Sequence, residues 1–269
     1  MLWVQALPRS GQSGVLILLL ILGLGVAVPL LSPYGVDEFA TKVNAAPSFA
    51  HPFGADNLGR DILTRSFAAT QVDILVALAG VVIPLLIGTV IGAFAGTTDQ
   101  RAVRGIIGLV IDGINAFPFI VLALGIIAVI GTGVIAVVVA IALTSWARYA
   151  KLARTRSQIL RDLDFVSALK VLGYSRARII VGHILPNCFS ETLAYGVSDF
   201  TLVILTVASI SFLGAGIQPP TPEWGSMMAD GRIYLMSAPW LLLGPGIILS
   251  LTAFGVSLIG QALQEQSRA

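Results

Sequence analysis

Positions 113–147, between Asp112 and Arg148, carry no charge for 35 consecutive residues. Four further charge-free runs lie at 10–36, 74–98, 200–222 and 233–264. A chain whose 16 basic and 14 acidic residues are squeezed between such runs cannot present an ordinary water-exposed surface. A helix needs roughly 20 apolar residues to cross a ~30 Å hydrocarbon layer. Each run is long enough for one span, and the longest is too long to be only one. Hydrophobic residues at 56%, charged residues at 11% and a mean hydropathy of +0.91 agree. They exclude a disordered chain, a nucleic-acid binder and an ordinary soluble enzyme. A net charge of +2 gives no reason to expect a polyanionic partner. The single cysteine, Cys188, excludes an internal disulfide and any multi-cysteine metal site. Two histidines, His51 and His183, leave little for a histidine-based centre.

The long run divides at Gly131-Thr132-Gly133, a natural turn. Six spans follow: about 13–32, 72–96, 105–129, 134–152, 188–213 and 240–262. The first is read as a retained helix, because it outruns a signal core and lacks a small-residue cleavage site after it. Six spans put both termini on one side. With the N-terminus inside, 12 of the 16 basic residues fall on the cytoplasmic side, which favours N-in and C-in.

Gly88, Gly92 and Gly96 recur every four residues and predict a close backbone approach to another span or to a partner subunit. Pro118, between Phe117 and Phe119, predicts a kink in the third span. Asp112, Glu191 and Asp199 are intramembrane or near-interface carboxylates. The first two are expected to pair near helix ends, with Arg104 and His183 each eight residues away. Asp199 lies deeper and is a candidate for the translocation path, together with Phe117 and Pro118.

The stretch 150–187 is too polar to span and too long for a turn. Ile159, Leu163, Val166, Leu169 and Leu172 recur at helical spacing and predict one apolar stripe. Gly173 suits a helix C-cap, and Ser175 suits the cap of a second short helix from Arg176 to about Leu185, ended by Pro186-Asn187. Such a hairpin could lie on lipid or dock into a groove on a cytoplasmic partner, and composition leaves both open.

The segment Asp164-Phe165-Val166-Ser167-Ala168-Leu169-Lys170-Val171-Leu172-Gly173, closing on His183-Ile184-Leu185-Pro186-Asn187, resembles the EAA loop of ABC importer permeases. Ala168, Gly173, Leu185 and Pro186 match in register, whereas Ser167 stands in the place of the motif glutamate and Leu169 in that of its second alanine. His51-Pro52-Phe53-Gly54-Ala55-Asp56-Asn57-Leu58-Gly59-Arg60-Asp61 is similar to a signature in the first external loop of the dipeptide/oligopeptide/nickel permeases. Trp146-Ala147-Arg148-Tyr149-Ala150, Ser211 to Ile217 and Pro219 to Gly225 are further matches in the right order. The chain thus resembles the C-type permease subunit of that family along nearly its whole length.

The resemblance implies an all-α membrane protein of the type I ABC importer permease fold. Residues 1–71 would form the first helix and external loop, and 72–269 a five-span permease core with a coupling loop at about 156–186. It implies that Asp164, Phe165, Val166, Ser167, Ala168, Leu169, Leu172, Gly173, Tyr174 and Arg176 couple the spans to ATPases. The implied partners are a homologous B-type permease, two cytoplasmic ABC ATPases, an extracytoplasmic solute-binding protein and the lipid of a bacterial inner membrane. The implied cargo is di- or oligopeptides, with nickel or a metal chelate as the alternative. No Gly-Lys pair occurs, so there is no P-loop, and ATP with Mg2+ is expected in the partner subunits.

The external signature also predicts a short interfacial helix over 60–70, supported by an Asp61–Arg65 pair. Two readings from other classes use these carboxylates: an intramembrane enzyme working through Asp112, Glu191 or Asp199, and a proton-coupled transporter working through Asp199. The chain lacks a Ser/His pair and an His-Glu-x-x-His pattern for the first. It shows no convincing internal repeat for the second.

Overall fold

The computed structural model describes residues 8–268. Among them there is no strand, only one isolated bridge between Ala55 and Asp61. The helices are α1 (Arg9–Leu31), α2 (Ile62–Thr97), α3 (Arg101–Ala116), α4 (Phe119–Ile130), α5 (Val134–Arg161), α6 (Asp164–Val171), α7 (Arg176–Ile179), α8 (Leu185–Phe212), α9 (Trp224–Gly231) and α10 (Trp240–Arg268). A π turn, Ile180–Ile184, joins α7 to α8 without a break. Among the described residues, five segments are long and apolar enough to cross a membrane, and a sixth is bent.

The bent one is the predicted third span. α3 and α4 meet at 96° across Phe117-Pro118, so the expected single helix over 105–129 is two short ones. Pro118 has no N–H and pushes the residue before it out of the helical region. Phe117 sits at φ −83°, ψ 143°. Neither the 16 residues of α3 nor the 12 of α4 could cross alone.

Two other boundaries also differ. The helix expected at 60–70 and the span expected at 72–96 are one helix, α2, of 36 residues. At 1.5 Å per residue it is about 54 Å long, well beyond the hydrocarbon thickness. Pro186 does not end a helix either. The π turn just before it widens the backbone where the proline ring and the missing N–H would break regular bonding, and the helix runs on to Phe212.

The chain forms two compact units. One comprises 1–78, 126–138 and 197–269. In it α1 packs on α10 through Gly14, where an added Cβ would strike the Gly255 carbonyl at 2.5 Å. Its loop between α1 and α2 is held by carboxylates. Asp61 caps α2, with Oδ2 accepting from Thr64 N–H and Oγ1–H, both at 2.8 Å. Its Oδ1 meets His51 Nδ1 at 2.9 Å, and Tyr34 stacks on that imidazole. The expected Asp61–Arg65 pair does not form, because capping and His51 occupy Asp61. Arg65 instead bonds Asp37 and the Val36 and Pro220 carbonyls.

The second unit comprises 79–125 and 139–196. The glycine stripe of α2 meets α5 of the same chain. A Cβ at Gly88 would fall on the Trp146 carbonyl, at Gly92 on the Ala150 carbonyl, and at Gly96 on Ser157 Oγ. Small residues at this spacing bring the two backbones together. Thr89 Oγ1 bonds Thr192 Oγ1 at 2.8 Å, tying α2 to α8.

Candidate functional site

The site grows from the end of α5. The helix closes at Arg161 in a tight turn, with Asp162 N–H donating to the Ile159 carbonyl and Leu163 N–H to that of Leu160. α6 then starts at Asp164, whose carboxylate suits a helix N-terminus. α6 ends in a left-handed residue, Gly173, at φ +80°. Gly173 N–H donates to the Lys170 carbonyl at 3.0 Å, and Tyr174 N–H to that of Leu169 at 3.1 Å. That pair of bonds is a Schellman closure. Ser175 Oγ then accepts from Arg178 N–H at 3.3 Å and caps α7, as its sequence position predicts.

The hairpin is anchored from inside. Val166, 1% exposed, packs with Ala93, Ala153, Leu160, Ile179, Ile184 and Cys188, and Leu169 and Tyr174 close the cluster. Two arginines add polar anchors at the end of α2. Arg176 donates to Asp99 Oδ2 at 2.7 Å and to the Thr97 carbonyl, and Arg161 reaches the Gly96 carbonyl at 3.5 Å. The last carbonyls of a helix lack partners within it and carry partial negative charge, so guanidinium groups are well placed there. Arg178 lies over the Tyr174 ring, 4.6 Å from its centroid. A cleft of about 240 Å³ opens between Thr97, Asp99 and Arg161 on one side and Val166, Lys170, Tyr174 and Arg176 on the other.

The outer surface of the hairpin exposes large apolar side chains among charged ones. Val171 is 89% exposed and Leu172 72%, with Phe165 and Val181 also exposed. Asp164, Ser167 and Ala168 face solvent as well. The expected single stripe is therefore split. Val166 is buried and Leu169 half-buried, whereas Ile159, Leu163 and Leu172 are exposed, because the turn at 162–163 changes the helical phase between α5 and α6. Val171, Val181, Arg161 and Asp99 belong to this site and escape a reading based on one continuous helix. The signal that finds them is the Asp162-Leu163-Asp164 sequence, a stop followed by an acidic helix start.

The other predicted residues stand apart from this hairpin in role. Phe117 and Pro118 are exposed at the α3–α4 break. Asp199 is buried in α8. Asp112 pairs with Lys151 (3.7 Å) rather than Arg104, and Glu191 with Arg156 (3.1 Å) rather than His183. Both carboxylates thus find basic partners across helices. No group of three or more His, Cys, Asp or Glu side chains suited to a metal ion occurs among the described residues.

These observations define a multi-span helical membrane protein that exposes large apolar side chains on an anchored hairpin between two of its spans. Residues 88–268 match the family described as binding-protein-dependent transport system inner membrane component. The chain belongs to that family and is a membrane permease subunit. It is 35% identical over 258 residues to a putative peptide transport system permease protein of Brucella suis, covering 96% of this chain and 86% of the relative. It is 34% identical over 266 residues to the di/tripeptide transport system permease protein DppC of Pseudomonas aeruginosa, covering 96% and 87%. A glutathione transport system permease protein, GsiD of Pectobacterium atrosepticum, is 34% identical over 252 residues, covering 93% and 83%.

Proposed function

We propose that this chain is one of two homologous permease subunits of an ATP-driven peptide importer, and that Asp164–Arg178 is where a partner ATPase docks. The observation that carries this reading is the pairing of a fixed inner face with exposed apolar side chains on the outside. Val166 and Arg176 secure the hairpin to the spans, while Val171 and Leu172 are left for a partner. A groove-docking helix uses such apolar anchors. Movement of the partner is transmitted because the hairpin is bonded to the end of α2 and is continuous with α8. ATP and Mg2+ belong to the ATPases, substrate arrives with an extracytoplasmic binding protein, and both termini lie in the cytoplasm. Alternating access then follows from rigid-body motion of the spans.

The relatives named for peptides, di/tripeptides and glutathione (itself a tripeptide) support a short peptide as cargo. The experiment is Val171→Glu combined with Leu172→Glu in the tagged chain. The variant is expected to reach the membrane in normal amount, to lose the co-purifying ATPase and to abolish uptake of labelled dipeptide. Retention of the ATPase by this variant overturns the docking role. Uptake of nickel instead of dipeptide or glutathione by the unaltered importer overturns the cargo.

A further inference from the structure

Asp73 and Glu223 are each 0% exposed. Asp73 lies on α2, and Glu223 is the N-cap of α9. Glu223 Oε1 accepts from Gly225 N–H at 2.9 Å and Oε2 from Ser226 N–H at 2.6 Å. Asp73 Oδ2 accepts from Trp224 N–H at 3.1 Å. Its other oxygen, Oδ1, is buried without a donor. The Glu223 carboxyl adjoins it, since Asp73 holds the Trp224 N–H while Glu223 holds the next two amides of the same helix start.

A hydrogen bond between two carboxyl groups needs a proton, since neither oxygen set has one when ionised. Two adjoining carboxylates shut away from water cannot both keep their charge. We propose that Asp73 and Glu223 hold one proton between them, and that this protonated pair latches α9 and the loop before it onto α2.

The surroundings favour one proton over two or none. No cation pairs with either carboxyl among the described residues. α2 presents no other charge to the pair, α8 offers the Ser211 hydroxyl, and α9 offers the N–H groups of residues 224–226. Three backbone donors stabilise one negative charge but do not neutralise two. Burial pushes the Glu223 carboxyl above its ordinary range, against the opposing pull of its backbone and side-chain hydrogen bonds. The pair is also tightly enclosed. Trp224 is fully buried, with Nε1–H donating to the Ser66 carbonyl at 2.8 Å, and a Cβ at Gly225 would strike the Ala208 carbonyl.

The sign of the pH effect follows. Removing the shared proton leaves two adjacent buried charges, so the latch weakens as pH rises and holds as pH falls toward neutrality.

The test is infrared spectroscopy of the full chain in lipid nanodiscs at neutral pH. Wild type is expected to show a protonated-carboxyl C=O band equal to one group per chain, lost in Asp73→Asn and equally in Glu223→Gln, because an amide supplies the missing donor. Labelling wild type with carboxyl-13C aspartate and, separately, glutamate identifies the band without any variant, should either variant fail to fold. Both variants are also expected to lose the alkaline fall in melting temperature that wild type shows. Absence of the band in wild type, or a two-group band that each variant halves, overturns the proposal. So does a band that persists in both variants and is shifted by neither label.

Discussion

Arg176 and Thr97 close the hairpin onto the end of α2: the guanidinium donates to the Thr97 carbonyl while also holding Asp99 Oδ2 at 2.7 Å. The two bonds differ in weight. Asp99 and Arg176 side chains are 78% and 52% exposed, so water and salt screen their attraction. The carbonyl is an unpaired acceptor at a helix end, and replacing its donor leaves it to water alone. Asp99→Asn is expected to cost ~0.5 kcal/mol or less, and Arg176→Ala about 1 kcal/mol of local stability. Amide hydrogen exchange across residues 164–184 reads this directly: protection should fall clearly in Arg176→Ala and barely in Asp99→Asn. Equal losses would place the weight on the ion pair instead.

Gly173 tests whether the turn geometry matters apart from packing. Its φ of +80° is unfavourable for a side chain, yet nothing lies within 4 Å of where a Cβ would be. Any penalty on substitution is therefore conformational rather than steric crowding, about 1–2 kcal/mol for an ordinary L-residue. Gly173→Val is expected to abolish uptake at unchanged membrane levels, and Gly173→Asn to retain part of it, since asparagine enters this region more readily. Normal uptake by the valine variant would show that the hairpin tolerates a different turn.

Gly92 tests the opposite case, crowding in a relaxed backbone. A Cβ there overlaps the Ala150 carbonyl. Gly92→Val must part α2 from α5 and should cost about 1–3 kcal/mol, as overpacking does. Gly105 lies in a helix with nothing within 4 Å. Gly105→Ala should be neutral or stabilising by about 0.5–1 kcal/mol, because alanine loses less entropy on folding. Thermal unfolding of the two variants in detergent should separate them in opposite directions from wild type.

The contrast between these positions explains how much was legible in the sequence. Charge-free runs place the spans, because hydrocarbon tolerates few charges, and the glycine stripe marks a close contact. Which helix fills the stripe depends on three-dimensional packing, so the sequence left another span and a partner subunit both open. Phe117-Pro118 marks the place of a break, since proline acts locally, but not an angle of 96°, which neighbouring helices set. Pro186 misled for the same reason: a local helix-breaker is absorbed by a π turn that ends two residues earlier. In the hairpin, Gly173 and Ser175 were readable because caps are local chemistry. The exposure of Val171 and Leu172 was not, because one turn at 162–163 resets which face looks inward.

Trp224 offers a test of the packing of α9 on α2. It is fully buried, and Nε1–H donates to the Ser66 carbonyl at 2.8 Å, a bond between α9 and the first turns of α2. Trp224→Phe keeps most of the ring but removes the donor, leaving a void beside the pyrrole position. Ser66 O also belongs to the helix ladder of α2, so the carbonyl is not fully orphaned and the loss should sit near about 1–2 kcal/mol. Trp224→Ala adds a large cavity and should cost roughly 3–5 kcal/mol. Thermal unfolding of the full chain in nanodiscs should therefore rank wild type above Trp224→Phe, with Trp224→Ala far below both. Gly225 reinforces the ranking, because its close approach to the Ala208 carbonyl gives α9 little room to slide and refill the space. A Trp224→Ala chain that melts with wild type would mean that α9 repacks freely and that the bond to Ser66 does not hold it.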